Sequence, residues 1–258
     1  EVALDVPSGH ILGVIGSNGA GKTTLFDIAS GFLPPDSGRL FLHGRDVTEL
    51  GAPGLAELGL GRSFQDARLF PSMTVAETLA TALERHLEAR DPFACMLHLG
   101  AVVETEREVA ARVEELLELM NLGRYRDAFV SELSTGTRRI VELTCALAHA
   151  PSVLLLDEPS SGIAQKETEA LGEVLLDVKE RTGATLAVIE HDIPLISSIA
   201  DELVCLHLGE VIATGPPAKV LADPMVVASY LGNDPTAVAR SGRSKPKARP
   251  RARAASKR

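Results

Sequence analysis

Gly16-Ser17-Asn18-Gly19-Ala20-Gly21-Lys22-Thr23 fits the pattern G-x-x-x-x-G-K-[ST]. Glycines let such a loop curl until successive N–H groups point at phosphate oxygens. A helix starting on the loop adds the positive end of its dipole. Lys22 would reach the β- and γ-phosphates of a nucleotide, and the Thr23 hydroxyl would ligate Mg²⁺. The plain alternative is a Gly-rich turn that holds nothing. The flanking sequence argues against it, with an apolar strand pattern before the loop and a helix pattern after it. The loop marks nucleotide binding without naming a reaction.

Further along, Val153-Leu154-Leu155-Leu156-Asp157-Glu158 sets two acids at the carboxyl end of a buried strand pattern, the end that faces ligands in open α/β sheets. Asp157 would hold Mg²⁺ through its water shell, and Glu158 would polarise the water that attacks a γ-phosphate. Read alone, the pair is equally a solvated strand end. His191, in Ile189-Glu190-His191-Asp192, ends the next strand pattern. From there it could hydrogen-bond the γ-phosphate and hold Glu158 and the water in line. Only its position separates it from the other six histidines. Gln65, in Arg62-Ser63-Phe64-Gln65-Asp66, follows another strand pattern and could reach metal and water.

The elements that must position these residues are written in the hydrophobic pattern. His10–Ile15 is an apolar run, as in a strand buried on both faces. Thr23–Ser30 reads as a helix closed by Gly31, Pro34–Gly38 as a turn and Arg39–His43 as a strand. Thr74–Glu88 and Glu104–Met120 carry apolar residues at helical spacing and read as a helical subdomain. Then come a helix over Thr137–His149, the strand Val153–Leu156, a helix over Lys166–Arg181 and the strand Thr185–Ile189. Leu203–Leu208 and Val211–Thr214 read as a hairpin turning at Gly209-Glu210. Strands alternating with helices predict a largely parallel sheet covered on both faces.

The chain of 258 residues is 45% hydrophobic and 24% charged, the balance of a globular protein. It has no apolar run of the roughly 18 residues that span a bilayer. The acidic start, EVALDVPSGH, is no signal peptide; a first residue of Glu implies a trimmed start or a longer polypeptide. Cys95, Cys145 and Cys205 are far apart and lack metal-ligand spacing, so three buried free thiols in a reducing compartment are expected. The net charge of −9 is uneven: residues 240–258 hold nine Lys or Arg and no acid, leaving 17 basic against 35 acidic residues elsewhere. An acidic body argues against nucleic acid as a partner. The basic tail, without apolar periodicity, is expected to be disordered.

Leu133-Ser134-Thr135-Gly136-Thr137-Arg138-Arg139 lies upstream of Asp157 and opens a helix pattern. With the phosphate loop, Gln65, Asp157-Glu158 and His191 in this order, the chain resembles the ABC ATPases. It is most similar to the ATP-binding subunits of branched-chain amino acid importers, on Gly61–Phe70, Met73-Thr74-Val75, Ile189–Asp192 and Ser229-Tyr230-Leu231-Gly232. The resemblance implies an α/β P-loop fold: a RecA-like, mostly parallel sheet at about 1–65 and 141–235, an inserted α-helical subdomain at about 66–140, and a small antiparallel portion. Residues 236–258 form the tail.

The resemblance also implies ATP with Mg²⁺ as ligands. ATP would contact Gly16, Ser17, Asn18, Gly19, Ala20, Gly21, Lys22, Thr23 and Thr24, and the metal Thr23, Gln65 and Asp157. Glu158, His191, Gln65 and Lys22 would be catalytic. Ser134 and Gly136 would cap the γ-phosphate bound by a second ATPase subunit. Permease subunits, with an extracytoplasmic solute-binding protein, would complete a complex on the inner face of the cell membrane. An adenine-stacking aromatic would lie upstream of Glu1. Three departures stand out: Thr135 and Thr137 replace the usual Gly and Gln of the signature, and Ala164 replaces an Asp. Related urea, amide or lipopolysaccharide systems remain alternatives. A soluble repair protein needs a long coiled coil, and only 134 residues lie between Lys22 and Asp157.

Overall fold

The computed structural model describes residues 2–63, 69–84 and 100–231. In chain order the elements are β1 (Ile11–Ile15), α1 (Lys22–Ala29), β2 (Phe41–Leu42), β3 (Arg45–Asp46), α2 (Ala52–Glu57) and β4 (Leu60–Arg62). Next in the chain are α3 (Val75–Leu83), α4 (Gly100–Leu119), α5 (Thr135–Leu147), β5 (Val153–Asp157), α6 (Gln165–Thr182) and β6 (Thr185–Ile189). The chain continues through α7 (Ile193–Ile199), β7 (Glu202–His207), β8 (Glu210–Gly215), α8 (Pro217–Leu221) and α9 (Pro224–Leu231).

Six strands form one sheet in the order β4-β5-β6-β1-β7-β8. Every pairing is parallel except β7 with β8. Alternate residues of each strand face opposite layers, as the period of two requires. Ile11, Ile15, Leu154, Leu156, Leu186 and Val188 pack under α5, α6 and α7. Leu12, Val14, Leu155 and Ile189 face the other way, against Phe26 of α1. Both faces are buried, which is why β1, β5 and β6 read as continuous apolar runs. Helices α3 and α4 are inserted between β4 and β5, and Val75, Leu79, Val113, Leu116 and Leu117 join them to the larger core. Thr74 starts α3 with a capping box: its Oγ1 accepts from the Glu77 amide at 3.2 Å and its own amide donates to Glu77 Oε2 at 2.8 Å.

Three expectations need correction. The run Arg39–His43 is not one strand: only Phe41-Leu42 and Arg45-Asp46 pair, as a separate two-stranded sheet, because His43 (φ 50°) and Gly44 (φ 75°) turn the chain back. The hairpin turns at Leu208-Gly209 rather than Gly209-Glu210, with φ of 50° and 80°, the left-handed pair of a type I′ turn. Cys205 is buried, but Cys145 is only part-buried; burial still pushes its thiol up to about 12. Gln65, Cys95, Arg85–Glu88 of the first predicted insertion helix and the basic tail lie outside the described residues. Among the described residues no helix is long and apolar enough to cross a membrane.

Candidate active site

Strands β5, β6 and β1 run side by side in one direction, so their carboxyl ends share an edge. Register aligns Asp157 with Ile189 and Ile189 with Val14. Three segments therefore converge at that edge: the loop Gly16–Gly21 after β1, Glu158 after β5, and Glu190-His191 after β6.

The loop is curled as its glycines allow. Gly21, at φ 98°, is the residue before α1. A side chain at Gly16 would meet the Leu206 carbonyl oxygen at 2.2 Å. Lys22 opens α1 and turns back into the loop, its Nζ donating to the carbonyls of Gly16 at 2.8 Å and Ser17 at 3.1 Å. Its side chain is buried, and burial lowers its pKa against the opposing attraction of Glu158 and Asp157. Thr23 and Thr24, the next residues of α1, are exposed. The loop is braced from outside: the Gly209 amide donates to the Ala20 carbonyl at 2.9 Å, and the Gly16 amide donates to Tyr230 Oη at 2.6 Å.

Asp157 and Glu158 are neighbours in sequence and opposites in setting. Asp157, only 5% exposed, ends β5. Burial pushes its carboxyl above the usual carboxylate range, Glu158 and Asp27 add to the rise, and Arg62 and Lys22 oppose it. Arg62 Nη2 stands 3.7 Å from Asp157 Oδ2, while Nη1 is held by Asp27 Oδ1 at 2.7 Å and Ser30 Oγ at 2.8 Å. Glu158 takes φ 47°, a strained conformation for a non-glycine residue that is concentrated at functional sites. Its amide donates to the Ile189 carbonyl at 2.9 Å, and its Oε1 lies 3.0 Å from His191 Nε2. Glu158 and His191 thus stand within hydrogen-bonding distance of each other.

Sequence reasoning missed the residue that builds this pair. Glu190, 1% exposed, accepts from the Ser160 amide at 2.8 Å, the His191 amide at 3.0 Å and the Asp192 amide at 3.4 Å. One carboxylate thereby ties the loop after Glu158 to the loop that carries His191. Tyr230 and Arg62 were visible only as parts of a resembling stretch. Ser134 caps α5, accepting from the Thr137 amide at 3.2 Å, and Gly136 is buried in its first turn. Ala164 stands at the cap of α6 with no side-chain hydrogen bond, where an Asp would supply one.

A glycine-rich loop, a buried carboxylate and a Glu–His pair share one edge of a parallel sheet, an arrangement suited to a nucleotide's phosphates. Comparison with known proteins agrees. The family model described as "ABC transporter" matches residues 1–161. The chain is 34% identical over 231 residues to the high-affinity branched-chain amino acid transport ATP-binding protein BraF of Pseudomonas aeruginosa, covering 90% of each chain. It is 32% identical over 232 residues to LivG of Escherichia coli, covering 90% of this chain and 91% of the relative. Its fold is similar, with a TM-score of 0.76 and 29% identity over 90% of this chain and 91% of the other, to the ADP conformation of an ATP-binding cassette of an ABC transporter. The chain belongs to the ABC transporter family as an ATP-binding subunit. Its activity is ATP hydrolysis coupled to transport.

Proposed function

We propose that this subunit energises the import of branched-chain or related amino acids through a separate membrane permease, from the cytoplasmic face of the membrane. The similarity to BraF and LivG along nine-tenths of the chain supports the cargo. The observation that carries the chemistry is the Glu158–His191 pair beside Lys22. ATP enters with its phosphates against the loop Gly16–Thr24, whose Gly16 amide is held by Tyr230, and against the Lys22 ammonium. Glu158 takes the proton of the attacking water, and His191, donating from Nε2 to Glu158 Oε1, holds that carboxylate in aim.

The donors present suit Mg²⁺. The Thr23 hydroxyl and the Asp157 carboxylate are hard oxygens. These two oxygens would hold the ion, with Gln65 as a further ligand. Bound there, it would neutralise charge on the phosphoryl group. Raising the Asp157 pKa by burial is consistent with this: the site disfavours the bare carboxylate and favours one facing a cation.

In this reading residues 1–235 are one cassette, with a RecA-like core at about 1–65 and 141–235 and a helical subdomain at about 66–140, ahead of the tail 236–258. Two cassettes sandwich ATP head to tail, Ser134 and Gly136 of one facing the nucleotide held by Lys22 of the other. ATP favours the closed pair, and hydrolysis removes the bridging phosphate, an affinity difference between two states.

The test uses the reconstituted transporter with its permease and solute-binding protein. Leucine, isoleucine or valine should raise ATP turnover. Glu158→Gln should cut it by about a hundredfold or more while nucleotide stays bound. Undiminished hydrolysis in that variant removes Glu158 from its role, and stimulation by another solute class alone removes the cargo.

A further inference from the structure

Ser134 and Gly136 are covered by a side chain of their own subunit. Ser134 Oγ donates to Glu167 Oε1 at 2.7 Å. A side chain on Gly136 would meet Glu167 Cδ at 2.6 Å and Oε2 at 2.8 Å. Gly136 lies within α5 and has no left-handed φ. The visible consequence of a glycine there is the close approach of this carboxylate. Glu167 comes from the first turn of α6, 33 residues away. Thr137 Oγ1, in the place of the usual Gln, lies 3.0 Å from Ser134 Oγ and completes a polar cluster around that oxygen.

A carboxylate and a phosphate edge present the same thing to such a cluster: paired anionic oxygens that accept from a hydroxyl at the positive end of a helix. We propose that Glu167 is an internal competitor for the partner's nucleotide. Its carboxylate holds the Ser134 hydroxyl and lies over Gly136 in the separate subunit. The γ-phosphate carried by the partner must displace it before the two subunits close. Glu167 thereby sets how tightly ATP drives closure. The inference rests on Ser134 and Gly136 being the half-site for the partner's ATP.

The experiment measures ATP-driven dimerisation of the full chain by sedimentation velocity, with Mg²⁺ and saturating ATP, in a Glu158→Gln background that stops turnover. Glu167→Ala frees the Ser134 hydroxyl and should tighten the dimer by about tenfold, within the usual range of coupling between sites. Glu167→Gln keeps an oxygen acceptor but removes the charge. It should tighten the dimer less, and its gap from Glu167 should narrow as salt rises, since the effect is one of charge. A dimer constant unchanged or weakened in both variants overturns the competitor role. If the Glu158→Gln parent and both variants retain ATP yet stay monomeric at every concentration, the half-site for a second copy of this chain fails and the competitor between identical chains falls with it. Should Glu167→Ala misfold, as its melting curve would reveal, the charge-only variant carries the decision.

Discussion

At the scale of single residues, two adjacent carboxylates stand in different settings because the chain turns left-handed at Glu158. Asp157 stays in the strand, buried, and its raised pKa means that the fold disfavours its charge. Between its unfolded value of 3.8 and its higher folded value the unfolded chain loses the proton first, so stability falls as pH rises. Above the folded value the whole cost is present. Asp157→Asn should therefore melt higher than the parent at neutral pH, lose ATP turnover, and see its stability advantage shrink as pH falls toward 4. Melting curves across pH check this; a lower melting point at pH 7 would refute it. The residues legible in sequence were those in contiguous strings: Gly16–Thr23, Asp157-Glu158 and His191. Glu190, Arg62 and Glu167 were not, because each matters through a partner about 30 residues or more away: Ser160, Asp27 and Ser134. An isolated acid or Arg has no local pattern to announce it.

At the scale of elements, β1, β5 and β6 were readable because burial on both faces forces unbroken apolar runs. Within β1 one position is fixed by a neighbour the strand pattern does not show. A methyl at Gly13 would stand 2.3 Å from Leu203 Cδ2 and 2.6 Å from Ile196 Cγ1. Gly13→Ala should cost about 1–3 kcal/mol by overpacking, read as a lower denaturant midpoint at unchanged slope, and a loss under about 0.5 kcal/mol would show that β7 and α7 yield easily. The two-residue strands β2 and β3 were misread for a plain reason: pairing there is set by a turn through His43, a residue with no left-handed preference strong enough to signal it. Leu208 hid the hairpin turn in the same way. Helix starts were better marked, since Thr74 with Glu77 and Asp192 with the Leu195 amide are caps written in residue type.

At the scale of the whole molecule, two segments far apart in the chain meet at the glycine-rich loop. Helix α9 returns Tyr230 to the loop 214 residues earlier, where its hydroxyl receives the Gly16 amide. Burial raises that hydroxyl's pKa to about 12, so it stays protonated at any working pH. Tyr230→Phe leaves a loop amide without that acceptor, a loss of about 1 kcal/mol. It should appear as a lower melting point and roughly fivefold weaker ATP binding, while unchanged ATP affinity would confine Tyr230 to packing. The alternation of strands and helices foretold the sheet, but nothing in it foretold this closure, because α9 is short and its contact lies off the sheet. The β7–β8 hairpin has the same hidden duty. Exposed two-residue turns are where an epitope tag or a fluorescent probe is customarily spliced into a protein. Here Leu208 is 79% exposed and invites it, yet the next residue's amide props Ala20, so a label inserted at 208–209 would report on the nucleotide pocket by damaging it.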